Sequence, residues 1–188
     1  MTESADTDTR YNFTEAHDHW SKPFRENARR HLWPLRTTPI AYLEIGVHEG
    51  RSLVWMANQI LRHEGSIAVG VDLWADDTKY SQAKSNLRHH EDQVGLIRGT
   101  LTECASTFEQ EYFDVIYIDG DHTYLPVLTD TVVAWPLLKS GGIMIWDDTD
   151  WPEPEYQVRR AIESALPHLP HTVMNADKQT WVRKTASL

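Results

Sequence analysis

The chain has 188 residues, 40% of them hydrophobic and eight of them tryptophan, enough for one globular domain with a full-sized core. Its 28 acidic residues against 18 basic ones give a formal net charge of −10, which disfavours a nucleic-acid partner, since such binding draws its affinity from neutralised phosphates. The one cysteine, Cys104, excludes an internal disulfide framework, no apolar run reaches the roughly 20 residues of a membrane span, and the polar first dozen residues resemble no targeting peptide, so a cytoplasmic protein is expected.

Met1–Thr9 offers little to bury and is expected to be disordered. Ser21–Arg36 reads as a helix, with Pro23 in its first turn, Pro34 at its stop and Phe24, Ala28 and Leu32 on one face. It carries Lys22, Arg25, Arg29, Arg30 and Arg36 against a lone Glu26, and two readings stay open: a solvated basic face, or a lid that presents cations to an anionic ligand. A boundary near Thr37–Pro39 would divide this N-terminal part, residues 1–38, from a core over residues 39–188.

Within the core, strands are expected at Ile40–Ile45, Ile67–Val71, Val94–Ile97, Val115–Ile118 and Ile143–Trp146, where short β-branched and aromatic runs stand between turn residues. Helical spacing falls between them at Arg51–His63, Tyr80–His89, Thr102–Glu109 and Leu125–Trp135. A helix over Glu155–Leu166 then precedes two extended segments, His171–Met174 and Thr180–Arg183. Strand and helix alternate throughout, which predicts an α/β fold with a doubly wound parallel sheet.

The chemistry concentrates at strand ends. Glu44-x-Gly46-x-x-x-Gly50-x-Ser52 sits at the first strand-to-helix turn, where glycine lets the backbone approach a ligand and the helix amino terminus favours a negative group. Asp72 closes the second strand, where a carboxylate accepts hydrogen bonds from ribose hydroxyls. Together they predict an adenosine-containing cofactor, and the absence of GxGxxG argues against a dinucleotide. Two further strands end in carboxylates: Asp119 and Asp121, followed by His122, and then Asp147, Asp148 and Asp150. Such a set at the carboxyl edge of one sheet forms an acidic site. Like charges held so close call for a cation or a proton, and hard oxygen ligands suit Mg²⁺ or Mn²⁺.

These pieces resemble the class I S-adenosylmethionine-dependent methyltransferases, above all the small-molecule O-methyltransferases with an Ile-Asp-Gly-x-His motif. The matching stretches are Tyr42–Ser52, Gly70–Trp74, Ile97–Thr100, Phe113–Tyr124 and Leu137–Asp148. The resemblance implies a Rossmann-like sheet of seven strands in the order 3-2-1-4-5-7-6 with the last strand antiparallel. It implies that Glu44, Gly46, Val47, Gly50 and Ser52 form the turn at the methionine end of S-adenosylmethionine, and that Asp72 holds the ribose. Leu73 and Trp74 would border the adenine, with Asp119 beside the cofactor. Thr100 and Leu101 stand where the family often has an acidic residue next to the adenine amine. Asp119, Asp147 and Asp148 are implied as ligands of the divalent metal, with Asp121 or His122 as the base that takes the acceptor's proton.

The expected activity is methyl transfer to oxygen on a small hydroxylated metabolite, a sugar or polyketide-type compound. Alternatives are metal-free transfer to oxygen or nitrogen with His122 as base, and a non-catalytic cofactor-binding domain. No nucleic-acid or membrane partner is expected, and a homo-oligomer stays open.

Overall fold

A computed structural model describes residues 10–14, 21–152, 154 and 156–187. The stretch expected to be disordered, Met1–Thr9, lies outside the described residues, as does Glu155 at the start of the last expected helix.

Seven strands form one sheet: β1 Ala41–Ile45, β2 Ile67–Asp72, β3 Val94–Arg98, β4 Phe113–Ile118, β5 Leu138–Trp146, β6 His171–Ala176 and β7 Thr180–Lys184. Their order is β3-β2-β1-β4-β5-β7-β6, with the first five parallel and β7 antiparallel to both its neighbours. Central strands buried on both faces need near-continuous apolar runs, and β1 and β4 have them. Strand β5 begins at Leu138, five residues before the expected Ile143, and bulges between those two residues opposite Phe113–Val115.

Helices cover both faces. On one lie α1 (Ser21–His31), α2 (Arg51–Gln59) and α3 (Asp77–Leu87), packed with Tyr117, Ile145 and Trp181. On the other lie α4 (Leu101–Cys104), α5 (Tyr124–Ala134) and α6 (Val158–Ala165), packed with Ile116, Met144 and Trp146. Helix α4 starts one residue early because Thr100 and Glu103 close a capping box, and it passes into a 3₁₀ turn after one turn. Helix α1 stops at His31 and continues as a 3₁₀ turn over Trp33–Thr37, as Pro34 requires.

Residues 21–38 are not set apart from the core. Phe24 is fully buried, with ring centroids 4.9 Å from Tyr117, 5.5 Å from Trp55 and 6.1 Å from Trp181. Ala28 and Leu32 are equally buried, so the apolar face of α1 completes one side of the sheet. No described helix is long and apolar enough to cross a membrane.

Candidate functional site

The carboxyl ends of β1 to β4 and the turn after β5 open into one cavity of about 920 Å³. Its floor is Gly46–Glu49 and Asp119–His122, one side is Leu73 with Gly99–Thr102, and the far side is Asp147, Asp148 and Trp151. A shallower recess of about 460 Å³ adjoins it, lined by Asp121, His122, Thr123 and Tyr156. Among the described residues, none before Ile45 lines the main cavity, so the described part of α1 does not form a lid over it.

The β1 and β2 ends are tied into a rigid cradle. Gly46 has φ +87°, and a Cβ there would lie 2.0 Å from the carbonyl oxygen of Asp119, so this turn admits glycine alone. Glu44 is fully buried, accepting hydrogen bonds from Tyr42 Oη at 2.8 Å and Ser52 Oγ at 2.5 Å. Burial pushes its carboxyl up to about 8, against the pull of those two hydroxyls. Glu44 and Gly50 support the cradle from behind: Gly50 caps α2, and neither residue lines the cavity.

Asp72 does more than face the cavity. Its Oδ2 accepts from the backbone N–H of Val47 and His48, each at 2.8 Å, and its Oδ1 from that of Trp74 at 2.7 Å. His48 and Trp74 both have positive φ, so this carboxylate holds two strained turns together. Trp74, expected beside the adenine, is turned into the core instead. It is 3% exposed, donates from Nε1 to the His48 carbonyl at 2.7 Å and packs at a tilt against Tyr80. Leu73 remains at the cavity wall, 63% exposed.

The acidic edge is arranged differently. His122 Nε2 lies 2.9 Å from Asp148 Oδ2 and 3.7 Å from Asp119 Oδ1, yet neither oxygen is aligned with its N–H, and the buried atom has no hydrogen-bond partner. Asp119 and then Asp148 push the imidazole up to about 10. Asp119, His122 and Asp148 each offer a ligand atom within 4.8 Å of the others. Asp147, expected as a metal ligand, lines the cavity with its carboxylate already engaged: it accepts from the buried Tyr117 hydroxyl and from the Asp148 backbone N–H at 2.9 Å. Successive residues at a strand end point to opposite faces, so Asp147 continues the Tyr117 side. Asp148 reaches His122 from a left-handed backbone, φ 53°. Burial first, and then the charge of Asp119, hold Asp147 up at about 8.

Asp121, the other candidate base, closes a turn onto Thr123, the residue at the N-cap of α5. It accepts from Thr123 N at 2.7 Å and Thr123 Oγ1 at 2.6 Å, and these bonds lower its pKa, which makes it the weaker proton acceptor. Thr100 and Leu101 both line the cavity.

Three features were not foreseen. Glu49, 4% exposed and in the cavity lining, anchors the segment Arg10–Thr14. It accepts from Thr14 N at 2.7 Å, from the Thr14 hydroxyl and from Lys79 Nζ at 2.6 Å. Asn12 is held by Asn86 and Gln82, and Tyr11 by Asn58 and His90, so this segment straps α2 to α3. Burial raises Glu49 but the bonds from Lys79 and Thr14 outweigh it, holding the carboxyl at about 2. Trp151 and Tyr156, 4.5 Å apart, make an aromatic wall beside His122. Asp130 of α5 also lines the cavity.

Residues 43–149 match a family model described as a methyltransferase domain. An uncharacterised protein of Acanthamoeba polyphaga mimivirus is 27% identical over 125 residues, 58% of this chain and 51% of that one, so the chain spans about half the length of this curated relative. The O-methyltransferase TomG of Streptomyces achromogenes, involved in tomaymycin synthesis and solved with SAM, aligns with a TM-score of 0.67 at 19% identity, over 88% of this chain and 79% of that one. The MycE methyltransferase of the mycinamycin pathway, solved with Mg, SAH and mycinamycin VI, aligns with a TM-score of 0.65 at 19% identity, over 94% of this chain and 51% of that one. At such identities the solved structures speak for the fold.

Proposed function

The chain belongs to this methyltransferase-domain family and has the class I S-adenosylmethionine-dependent fold, and from that premise we propose that it is an O-methyltransferase acting on a small hydroxylated metabolite, of sugar or polyketide type, with a divalent metal assisting. One observation carries the reading. The glycine cradle with Asp72 and the Asp119–His122–Asp148 group open into the same cavity, so a cofactor and an acceptor hydroxyl fit side by side in it.

The cradle would take the cofactor's methionine and ribose, with Gly46 and Val47 at the former and Asp72 at the latter. Asp72 already accepts three N–H groups and keeps room for about one more donor, since a carboxylate offers about four lone-pair sites. Methyl transfer is then an in-line displacement: the acceptor oxygen bonds to the methyl carbon, the carbon–sulfur bond breaks, and S-adenosylhomocysteine leaves. The acceptor proton passes to His122.

The residues fit a divalent ion. The crowding of three aspartates, which with burial holds Asp147 up at about 8, marks a place short of positive charge. Asp119 and Asp148 would hold the ion, and Asp147 would join only by releasing Tyr117. When bound, such an ion supplies charge to the carboxylates and Lewis acidity to the acceptor hydroxyl. His122, otherwise kept protonated by its two aspartates, is then free to act as base.

A metal-free route on oxygen or nitrogen would use the same His122–Asp148 pair, 2.9 Å apart, once the imidazole has given up the proton that its aspartates favour. The test is S-adenosylhomocysteine formation with a panel of hydroxylated acceptors, in excess EDTA and after Mg²⁺ or Mn²⁺ add-back. Activity lost to the chelator and restored by the ion supports the metal reading. Full activity in EDTA leaves the metal-free one.

A further inference from the structure

Asp130 stands in the middle of α5, whose sequence Tyr-Leu-Pro-Val-Leu-Thr-Asp-Thr-Val-Val-Ala is otherwise uncharged. It lines the cavity together with Leu101 of α4 and Pro126 and Thr129 of its own helix, and α4 and α5 are in contact. The carboxylate Oδ2 is 4.0 Å from where a Cβ on Gly120 would lie, so the missing side chain of Gly120 keeps the approach to it open. Among the described residues no N–H or O–H donates to this carboxylate, in contrast to every other acidic group of the cradle side. Asp72 carries three backbone N–H groups, and Glu49 is held by Thr14 and Lys79.

Nothing else on this wall substitutes for it as an anionic acceptor. Leu101 is apolar, while the Thr100 amide and hydroxyl close on Glu103 at 2.8 and 2.9 Å. Burial and then Asp121 raise the Asp130 pKa to about 6, which leaves it mostly ionised at neutral pH. A half-buried carboxylate without a donor is costly, and a ligand that brings an N–H to it recovers that cost.

An adenine ring has apolar faces, and its exocyclic amine at position 6 carries its free N–H donors. We infer that Asp130 is the specificity residue for the cofactor's base, accepting a hydrogen bond from the adenine amine. This rests on the reading of the cavity as an S-adenosyl site.

The chemistry makes a sharp test possible, because a 6-oxo base puts an acceptor where the amine was. A carboxylate repels that oxygen, whereas an asparagine amide donates to it. Binding of S-adenosylhomocysteine and S-inosylhomocysteine to wild type and Asp130→Asn is measured by calorimetry, with melting curves of both proteins as a check on folding. Wild type is expected to prefer the adenosyl compound, and Asp130→Asn to reduce that preference tenfold or more. A wild type that binds both compounds equally, or a folded variant with an unchanged ratio, overturns the inference. Should the variant fail to fold, a wild-type ratio that does not fall as the carboxylate is protonated below pH 6 overturns it as well. Wild type that binds neither compound refutes the cofactor reading itself, a result distinct from the others.

Discussion

The two ends of the cavity use aspartate and glutamate in opposite ways. At the β1 and β2 end, Asp72 and Glu44 receive their hydrogen bonds from the protein's own backbone and hydroxyls. At the β4 and β5 end, Asp119, Asp147 and Asp148 share the Tyr117 hydroxyl and one imidazole. The first end is complete before any ligand arrives. The second carries charge that its own residues do not balance, and so it is poised for something cationic. Preorganisation at one end and unmet charge at the other suit a bound cofactor and a reacting hydroxyl, respectively.

The largest expected effect tests whether the ends are separable. Asp148→Ala should lower turnover by about 10³ or more, since it removes both positioning and a partner of the proposed base. Affinity for S-adenosylhomocysteine, measured by calorimetry, should change less than a few-fold. A collapse of cofactor affinity in that variant would merge the two ends into one.

Next comes Asp72→Ala, which leaves three N–H groups at two strained turns without an acceptor. A loss of about 1–3 kcal/mol in stability is expected, from the loss of hydrogen bonds to a charged acceptor, together with weak cofactor binding. By contrast, Asp148→Ala should move the urea midpoint less, because the repulsion it relieves is offset by the His122 pairing it removes.

A third test concerns pH. The folded Glu44 pKa, about 8, lies above its ordinary 4.5, so its contribution to stability is fully present below pH 4.5 and is lost as pH rises through 8. Urea midpoints of wild type should fall across that window, and Glu44→Gln should flatten the decline. An identical slope in both proteins would show Glu44 ionised throughout.

The smallest effect belongs to the strap. Glu49 is depressed to about 2, so its contribution is present above pH 4.5 and is lost as pH falls toward 2. Lys79→Met should remove about 1 kcal/mol or less, the usual worth of such a pair. It should also speed hydrogen exchange at the Asn12 and Thr14 amides at neutral pH, with little change elsewhere.

Legibility followed the range of the forces. Runs such as Val115–Ile118 announce buried strands because period and composition are local properties. The first residues of β5 were hidden because Lys139, Ser140, Gly141 and Gly142 break the apolar run. Position in the motif placed Trp74 at the adenine, but its backbone, φ 38°, sends the ring the other way. Asp147 and Asp148 looked equivalent in sequence, and strand alternation separates them. The strap depends on contacts such as Asn12 with Asn86, which no local pattern encodes. Asp130 did leave a signal, a single charge in an uncharged helix facing the site.

The placement of β7 bears on how the molecule comes together. Thr180–Lys184 is made after every other strand, yet it lies inside the sheet, between β5 and β6. Its Trp181 meets Phe24 of the first described helix, ring centroids 6.1 Å apart. During synthesis, therefore, one edge of β5 stays unpaired and the seat of α1 stays open until Thr180–Lys184 has emerged. Contacts of such sequence separation slow folding, and an exposed apolar strand edge invites pairing with other chains. A polypeptide halted before Thr180 should accordingly aggregate and not persist as a partly folded enzyme.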